Sequence, residues 1–126
     1  MKYSLIIPIA LLFFACTKKK ELISEWRGSN RSGVYNETGL LEEWPKDGPR
    51  LLWTIDSTGH GFGSPVIAED QLFITGETDS TSFLYAYNLN GKMIWKAACG
   101  QEWVKNFPGS RSTPTVVGDL IYVCSG

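Results

Sequence analysis

Two thirteen-residue blocks of this chain align without a gap at an offset of 49 residues. The first is Ser64-Pro65-Val66-Ile67-Ala68-Glu69-Asp70-Gln71-Leu72-Phe73-Ile74-Thr75-Gly76. The second is Thr113-Pro114-Thr115-Val116-Val117-Gly118-Asp119-Leu120-Ile121-Tyr122-Val123-Cys124-Ser125. Each holds a hydroxyl residue followed by proline, an apolar strand, a turn with Asp and a second apolar strand. Proline is tolerated at a strand's first residue because its missing N–H falls at the end of the ladder. Ahead of each block an apolar triplet ends in tryptophan, Leu51-Leu52-Trp53 and Met93-Ile94-Trp95, the two indoles 42 positions apart. The extra residues lie between tryptophan and block, where Lys96 to Ser112 is longer than Thr54 to Gly63. A unit of about 40–50 residues with several strands is the period of a β-propeller blade. A generic β-meander within a sandwich is the competing reading.

Between the blocks lies a hairpin signal. The apolar run Phe83-Leu84-Tyr85-Ala86-Tyr87 meets Asn88-Leu89-Asn90-Gly91, and Met93-Ile94-Trp95 follows. Gly91 allows positive φ, and the Asn88 amide can bond turn backbone groups. Ala86 is small enough for an indole to dock, and burying Trp95 between neighbouring units would contribute about 2–3 kcal/mol. The expected fold class is all-β: a β-propeller of four-stranded blades. Predicted strands are 64–68, 71–76, 83–88 and 92–97 in one blade, then 113–117 and 120–125 in the next. Arg50 to Ile55 reads as a strand completing another blade. On this pattern the chain is expected to be an N-terminal fragment of about one and a half blades, because so few strands alone expose unpaired edges.

The first residues are chemically distinct. Lys2 precedes an apolar run, Leu5 to Phe14, too short for the ~20 residues of a membrane-spanning helix. Ala15-Cys16 then meets Thr17-Lys18-Lys19-Lys20. This pattern resembles a bacterial lipoprotein signal, with Phe13 and Phe14 as departures. The resemblance implies cleavage before Cys16 and acylation of that cysteine, and several acyl chains together anchor a soluble domain stably. The expected organisation is a signal peptide over 1–15, a lipid anchor and tether over 16–25, an irregular segment over 26–49, and the start of the propeller, incomplete, over 50–126. In the irregular segment Trp26 and Trp44 are expected against the sheet. The formal net charge of −1 gives no reason to expect nucleic acid as a partner.

Catalytic residues do not stand out. His60, the single histidine, sits in Gly59-His60-Gly61, and no His/Cys/Asp cluster has metal-ligand spacing. Cys99 reads as part of the loop between repeats and Cys124 as mid-strand. An exported protein can pair two such thiols; one buried thiol and one loop thiol is the plainer expectation. Channel-side candidates are His60 and Phe62 in one loop, and Trp103, Lys105, Asn106, Arg111 and Ser112 in the next. Among these, Trp103, Arg111 and His60 are the cofactor- or ligand-binding candidates. An aromatic face beside a guanidinium fork can hold a planar or anionic ligand. The alternative is that Trp103 covers the core and Arg111 braces a loop carbonyl.

Ala86-x-Asn88-x-Asn90-Gly91-Lys92-x-x-Trp95 resembles the PQQ-type propeller repeat, Ala-x-Asp-x-x-Thr-Gly-Lys-x-x-Trp, with Asn for Asp and a turn one residue shorter. Ser64-Pro65-Val66-Ile67 and Thr113-Pro114-Thr115-Val116 are similar to its Ser-Pro-Val-Val strand. Trp26-Arg27-Gly28-Ser29-Asn30-Arg31-Ser32-Gly33 resembles the Trp-Arg-Gly-Pro-Asn-Arg-Asp-Gly start of exported quinoprotein-like propellers, departing at Ser29 and Ser32. The structural repeat motif is thus Ala86, Asn88, Gly91 and Trp95, with Trp53 its earlier counterpart. In anchor and repeat type the chain is similar to the propeller lipoproteins of the outer-membrane β-barrel assembly machinery. That resemblance implies a non-catalytic binding or scaffold protein of the bacterial envelope, held at the membrane through lipid on Cys16. It would face the periplasm or the cell surface and meet envelope proteins or a small ligand. The alternative implied by the family is a PQQ-dependent oxidoreductase of alcohols or sugars, with Ca²⁺ and an Asp base supplied largely beyond residue 126. No adjacent cysteine pair of that kind occurs here.

Overall fold

The structure, a computed structural model, describes residues 23–126. The expected signal peptide, Cys16 and the first part of the tether lie outside the described residues. Among the described residues the regular elements are all strands apart from a single 3-10 turn at Ser29–Arg31: β1 (Ile23–Ser24), β2 (Val66–Ala68), β3 (Gln71–Thr78), β4 (Thr81–Asn88), β5 (Met93–Gln101), β6 (Thr115–Val117) and β7 (Leu120–Tyr122). They form two antiparallel sheets, β2-β3-β4-β5 in sequence order and β1-β6-β7. The protein is therefore all-β, as its repeat pattern predicts.

Local chemistry sets these boundaries. Glu69-Asp70 and Asp79-Ser80 join β2 to β3 and β3 to β4, with φ of 48° and 61° in one turn and 50° and 64° in the other. Positive φ at both central residues is the hairpin turn that matches strand twist. Asn88 closes the third turn. Its Oδ1 accepts from the N–H of Asn90 (3.0 Å) and of Lys92 (2.9 Å), while Gly91 takes φ 78°.

Side chains alternate across the larger sheet. One face carries Val66, Ala68, Phe73, Leu84 and Ala86, which close a core with Val116 of the second sheet; Cys99, Ile121 and Val123 pack against it. Phe73, Ala86 and Trp95 are register neighbours on three successive strands. Ala86 is fully buried, and its small side chain lets the Phe73 and Trp95 rings approach to 6.0 Å across it. Trp95 remains 37% exposed on the edge strand, so it gains less than the full burial energy within these residues. The opposite face carries the ladder Phe83, Tyr85 and Tyr87, with Lys96 Nζ 4.8 Å from the Phe83 ring centre.

Several expectations are corrected here. Arg50 to Ile55 forms no strand. Leu51 and Leu52 are exposed, and Trp53 instead docks on the hairpin turn, its Nε1 donating to the Leu89 carbonyl at 2.8 Å. A Cβ on Gly91 would lie 2.9 Å from the Trp53 ring, so glycine there serves this contact as well as the turn. Trp53 and Trp95 match in sequence but play different parts, since only Trp95 lies in a strand. Trp26 and Trp44 are exposed rather than packed on the sheet. Their segment folds on itself through turn bonds such as Gly33 N–H to Arg27 O (2.9 Å) and Gly48 N–H to Pro45 O (2.8 Å). Cys99 lies within β5, which runs on to Gln101, and Cys124 lies beyond β7. Both thiols are free. The tether expected over 16–25 is already structured at its end, where Ile23 and Ser24 pair with Val117 and Val116.

Candidate functional site

Two loops meet at the Asp79–Ser80 end of the larger sheet. The His60 N–H donates to Glu77 O (2.9 Å) and the Glu77 N–H returns a bond to His60 O (2.7 Å). The Ser110 N–H donates to the same His60 carbonyl (3.0 Å), and the Phe62 N–H donates to Ser110 O (2.7 Å). Residues 60–62 thus form a splint between β3 and the loop before β6. The joint continues through Ser64 N–H to Thr113 Oγ1 (3.0 Å) and Thr75 Oγ1 to Ser112 O. Thr75 and Ser110 are buried in it, and the Ser110 hydroxyl sits 3.4 Å from that of buried Ser82.

The sequence permits this closeness through a spacing that pattern reading missed: Gly59-His60-Gly61-Phe62-Gly63. Every second residue lacks a side chain. A Cβ would stand 2.3 Å from Glu77 O at Gly59, 3.0 Å from Thr75 O at Gly61 and 2.3 Å from Ser112 O at Gly63. All three obstacles are backbone. The period of two is a strand signal, and glycine in a strand marks close backbone approach.

The candidate residues His60, Trp103 and Arg111 therefore share one end of the molecule. His60 takes part through its backbone. Arg111 donates to the carbonyl of Phe107, which is the bracing role expected as the alternative to ligand binding. A guanidinium carries five N–H donors, so this exposed side chain keeps donors beyond the one that braces. Trp103 does not cover the core: it is half exposed, with Lys105 Nζ 5.3 Å from its ring centre, and its N–H donates to Gly126 O at 3.2 Å. Phe62 and Phe107 are also exposed, and Phe62 lies against Gly109, where a Cβ would come within 3.2 Å of its ring.

Among the described residues two buried side-chain oxygens, Glu102 Oε1 and the Tyr87 hydroxyl, have no hydrogen bond of good geometry, Ser57 being the side chain near enough to Tyr87 to interact with it. Burial raises the Tyr87 phenol above its usual range, the Ser57 side chain opposing and Tyr85 adding a smaller increase. Burial likewise raises the Cys99 thiol, with the Leu84 backbone opposing and the Glu102 charge adding to the rise. A thiol held protonated is a poor nucleophile. Among the described residues no three His, Cys, Asp or Glu side chains stand close enough to hold a metal ion. Among the described residues none is assigned to the Ca²⁺ and quinone set that the family resemblance implies for its oxidoreductases.

Comparison of the chain with protein-family models, curated proteins and solved structures found no match. The arrangement itself offers a rigid backbone joint rimmed by three aromatic side chains and by His60, Lys105 and Arg111. That suits holding a partner or ligand, and no hydrogen bond joins the His60 ring to a serine or carboxylate among the described residues.

Proposed function

We propose that this chain is part of a lipid-anchored, exported PQQ-like β-propeller that binds envelope proteins or a small ligand without catalysis. The observation that carries the reading is the order of the strands. A four-stranded antiparallel meander, β2 to β5, is followed by β6 and β7, which repeat its first two strands at the offset of 49. The repeated hydroxyl–proline starts meet at Ser64 N–H and Thr113 Oγ1, as expected of neighbouring blades whose first strands lie side by side. The binding surface is the end rimmed by Phe62, Trp103, Phe107, Lys105 and Arg111. Cys16 carries the lipid, and the protein works in the bacterial envelope, facing the periplasm or the cell surface.

Two measurements test this. Replacing Cys16 with Ser should move the protein from the membrane to the soluble fraction of cells; an unchanged distribution removes the anchor from the reading. Titrating the protein with PQQ and Ca²⁺ should give no cofactor uptake and no dye-linked alcohol oxidation. Uptake with turnover would replace the binding role by the oxidoreductase.

A further inference from the structure

The geometry points to β1 as the clasp that orients the domain on its membrane, with the Asn88–Lys92 turn end toward the bilayer and the His60–Arg111 end away from it. The inference rests on the reading of Cys16 as the lipid carrier and adds what that reading lacks, a direction. Three observations carry it.

The first is the place where the chain fastens. Ile23 pairs with Val117 and Ser24 with Val116, antiparallel, on the free side of β6. The Ser24 hydroxyl also donates to Ile67 O at 2.8 Å. One dipeptide therefore grips a strand of each sheet, β6 and β2.

The second is direction. β6 runs toward the Gly118–Asp119 turn, and the antiparallel β1 runs away from it. Ile23, opposite Val117, is therefore the end of β1 at that turn. Ser64 meets Thr113 and Ser24, opposite Val116, meets Ile67, so β2 and β6 run the same way; Ala68, Gln71 and Asn88 are register neighbours, and the Glu69–Asp70 and Asn88–Lys92 turns therefore lie at the Gly118–Asp119 end. The His60–Glu77 bridge and the Thr78–Thr81 pair mark the other end.

The third is length. Six residues, Thr17 to Leu22, separate Cys16 from Ile23, and seven Cα–Cα steps reach at most about 25 Å when fully extended. The eight residues of β3 span about 26 Å from the turn end to the loop end. A tether that leaves at the turn end would have to double back along the whole sheet to bring the loop end to the lipid. The loop cluster of Phe62, Trp103, Phe107, Lys105 and Arg111 thus projects into the aqueous space, where it meets a soluble protein or domain rather than lipid.

The test fixes the attachment chemically, so that it does not depend on whether cells acylate Cys16. A maleimide lipid is coupled to Cys16 of the protein with Cys99 and Cys124 changed to Ala, and the product is bound to phosphatidylcholine vesicles carrying a headgroup quencher. A dye is placed through a ketone-bearing unnatural residue at Asn90, on the turn end, or at Asn106, on the loop end. Both positions are exposed. The Asn90 dye should read nearer the bilayer by about 20–26 Å, the length of the strands. Equal depths, or a nearer Asn106, would overturn the inference. Ser24→Pro, which deletes the hydroxyl and one backbone donor, should abolish the difference while the protein stays bound; a difference that persists shows that β1 is not the clasp. Acylation of Cys16 in cells is judged separately by the fractionation of Cys16→Ser, so failure of either idea is read from its own experiment.

Discussion

Gly63→Ala tests the glycine-spaced splint most directly. The new methyl carbon would lie 2.3 Å from Ser112 O and 3.0 Å from its carbonyl carbon, where ordinary contact begins at 3.4 Å. Residue 63 has no positive φ, so alanine fits its local conformation and the cost is purely the approach. Relief requires the two loops to part by about 1 Å, since backbone cannot rotate out of the way as a side chain can. That movement stretches Phe62 N–H to Ser110 O, now 2.7 Å, and Ser64 N–H to Thr113 Oγ1, now 3.0 Å, past useful length. Two such bonds contribute about 1 kcal/mol each. Alanine stiffens the unfolded chain and returns about 0.4–1 kcal/mol. The expected net loss is about 1–2 kcal/mol. With a urea slope of about 1–3 kcal/mol per molar, the midpoint should fall by about 0.3–2 M, followed by tryptophan fluorescence. Hydrogen exchange should show lost protection at the Phe62 and Ser110 amides. Gly48→Ala is the control: nothing lies within 4 Å of that position, so any cost there comes from its positive φ and leaves the Phe62 amide protected. A Gly63→Ala protein with an unchanged midpoint and a protected Phe62 amide would refute the account.

Asn88→Ala should lose about 1–2 kcal/mol in urea unfolding, because the amides of Asn90 and Lys92 lose their acceptor, while Asn88→Asp keeps most of the stability; equal losses in both would remove the turn-cap role. Glu102→Gln should be neutral or stabilising, by up to about 1 kcal/mol, since its buried Oε1 has no partner to lose. A loss of stability would reveal a donor to that carboxylate. Both free thiols should titrate with a disulfide reagent, Cys124 faster than Cys99, because Cys99 is half-buried and its pKa is raised; the reverse order would contradict the packing. The raised pKa values of Cys99 and Tyr87 favour the protonated side chain in the folded state. Their stabilisation is complete below the unfolded thiol value of about 8.5 and falls as pH rises beyond it. Urea midpoints measured from pH 7 to 10 should therefore decline, and Cys99→Ala should flatten the first part of the decline.

Elements whose signal was local were legible in the sequence. The hairpin Ala86 to Trp95 declared its turn through Asn88 and Gly91, and the duplicated block placed β2, β3 and β6 within two residues, while β7 stops at Tyr122, three residues before the expected end. Strand ends were misjudged where pairing decides them. β5 runs past the apolar triplet to Gln101 because β4 continues opposite it, and this moved Cys99 from loop to strand. Arg50 to Ile55 carries a strand's composition, yet no described edge accepts it, so Trp53 spends its indole on the turn instead. Trp26 and Trp44 were expected inside because they are large and apolar; the glycine-rich turns around them satisfy their own backbone and never reach the sheet. At the candidate site the residue types were readable and their assembly was not. His60 and Arg111 lie in different loops, and only the spacing Gly59, Gly61, Gly63 recorded that those backbones touch.

β5 has a further consequence. Its nine residues form the outer strand of their sheet, and eight of them are exposed, Met93, Ile94 and Trp95 among them. An uncovered strand of that length is a template on which another chain can continue the ladder. Two irregularities in its register, opposite Ser82/Phe83 and Ala86/Tyr87, bend the edge, and Lys96 places a charge in its middle. These features slow lateral pairing without removing it. Among the described residues this flank is thus left without a covering element, and two bends and one lysine charge are what stand against lateral pairing along it.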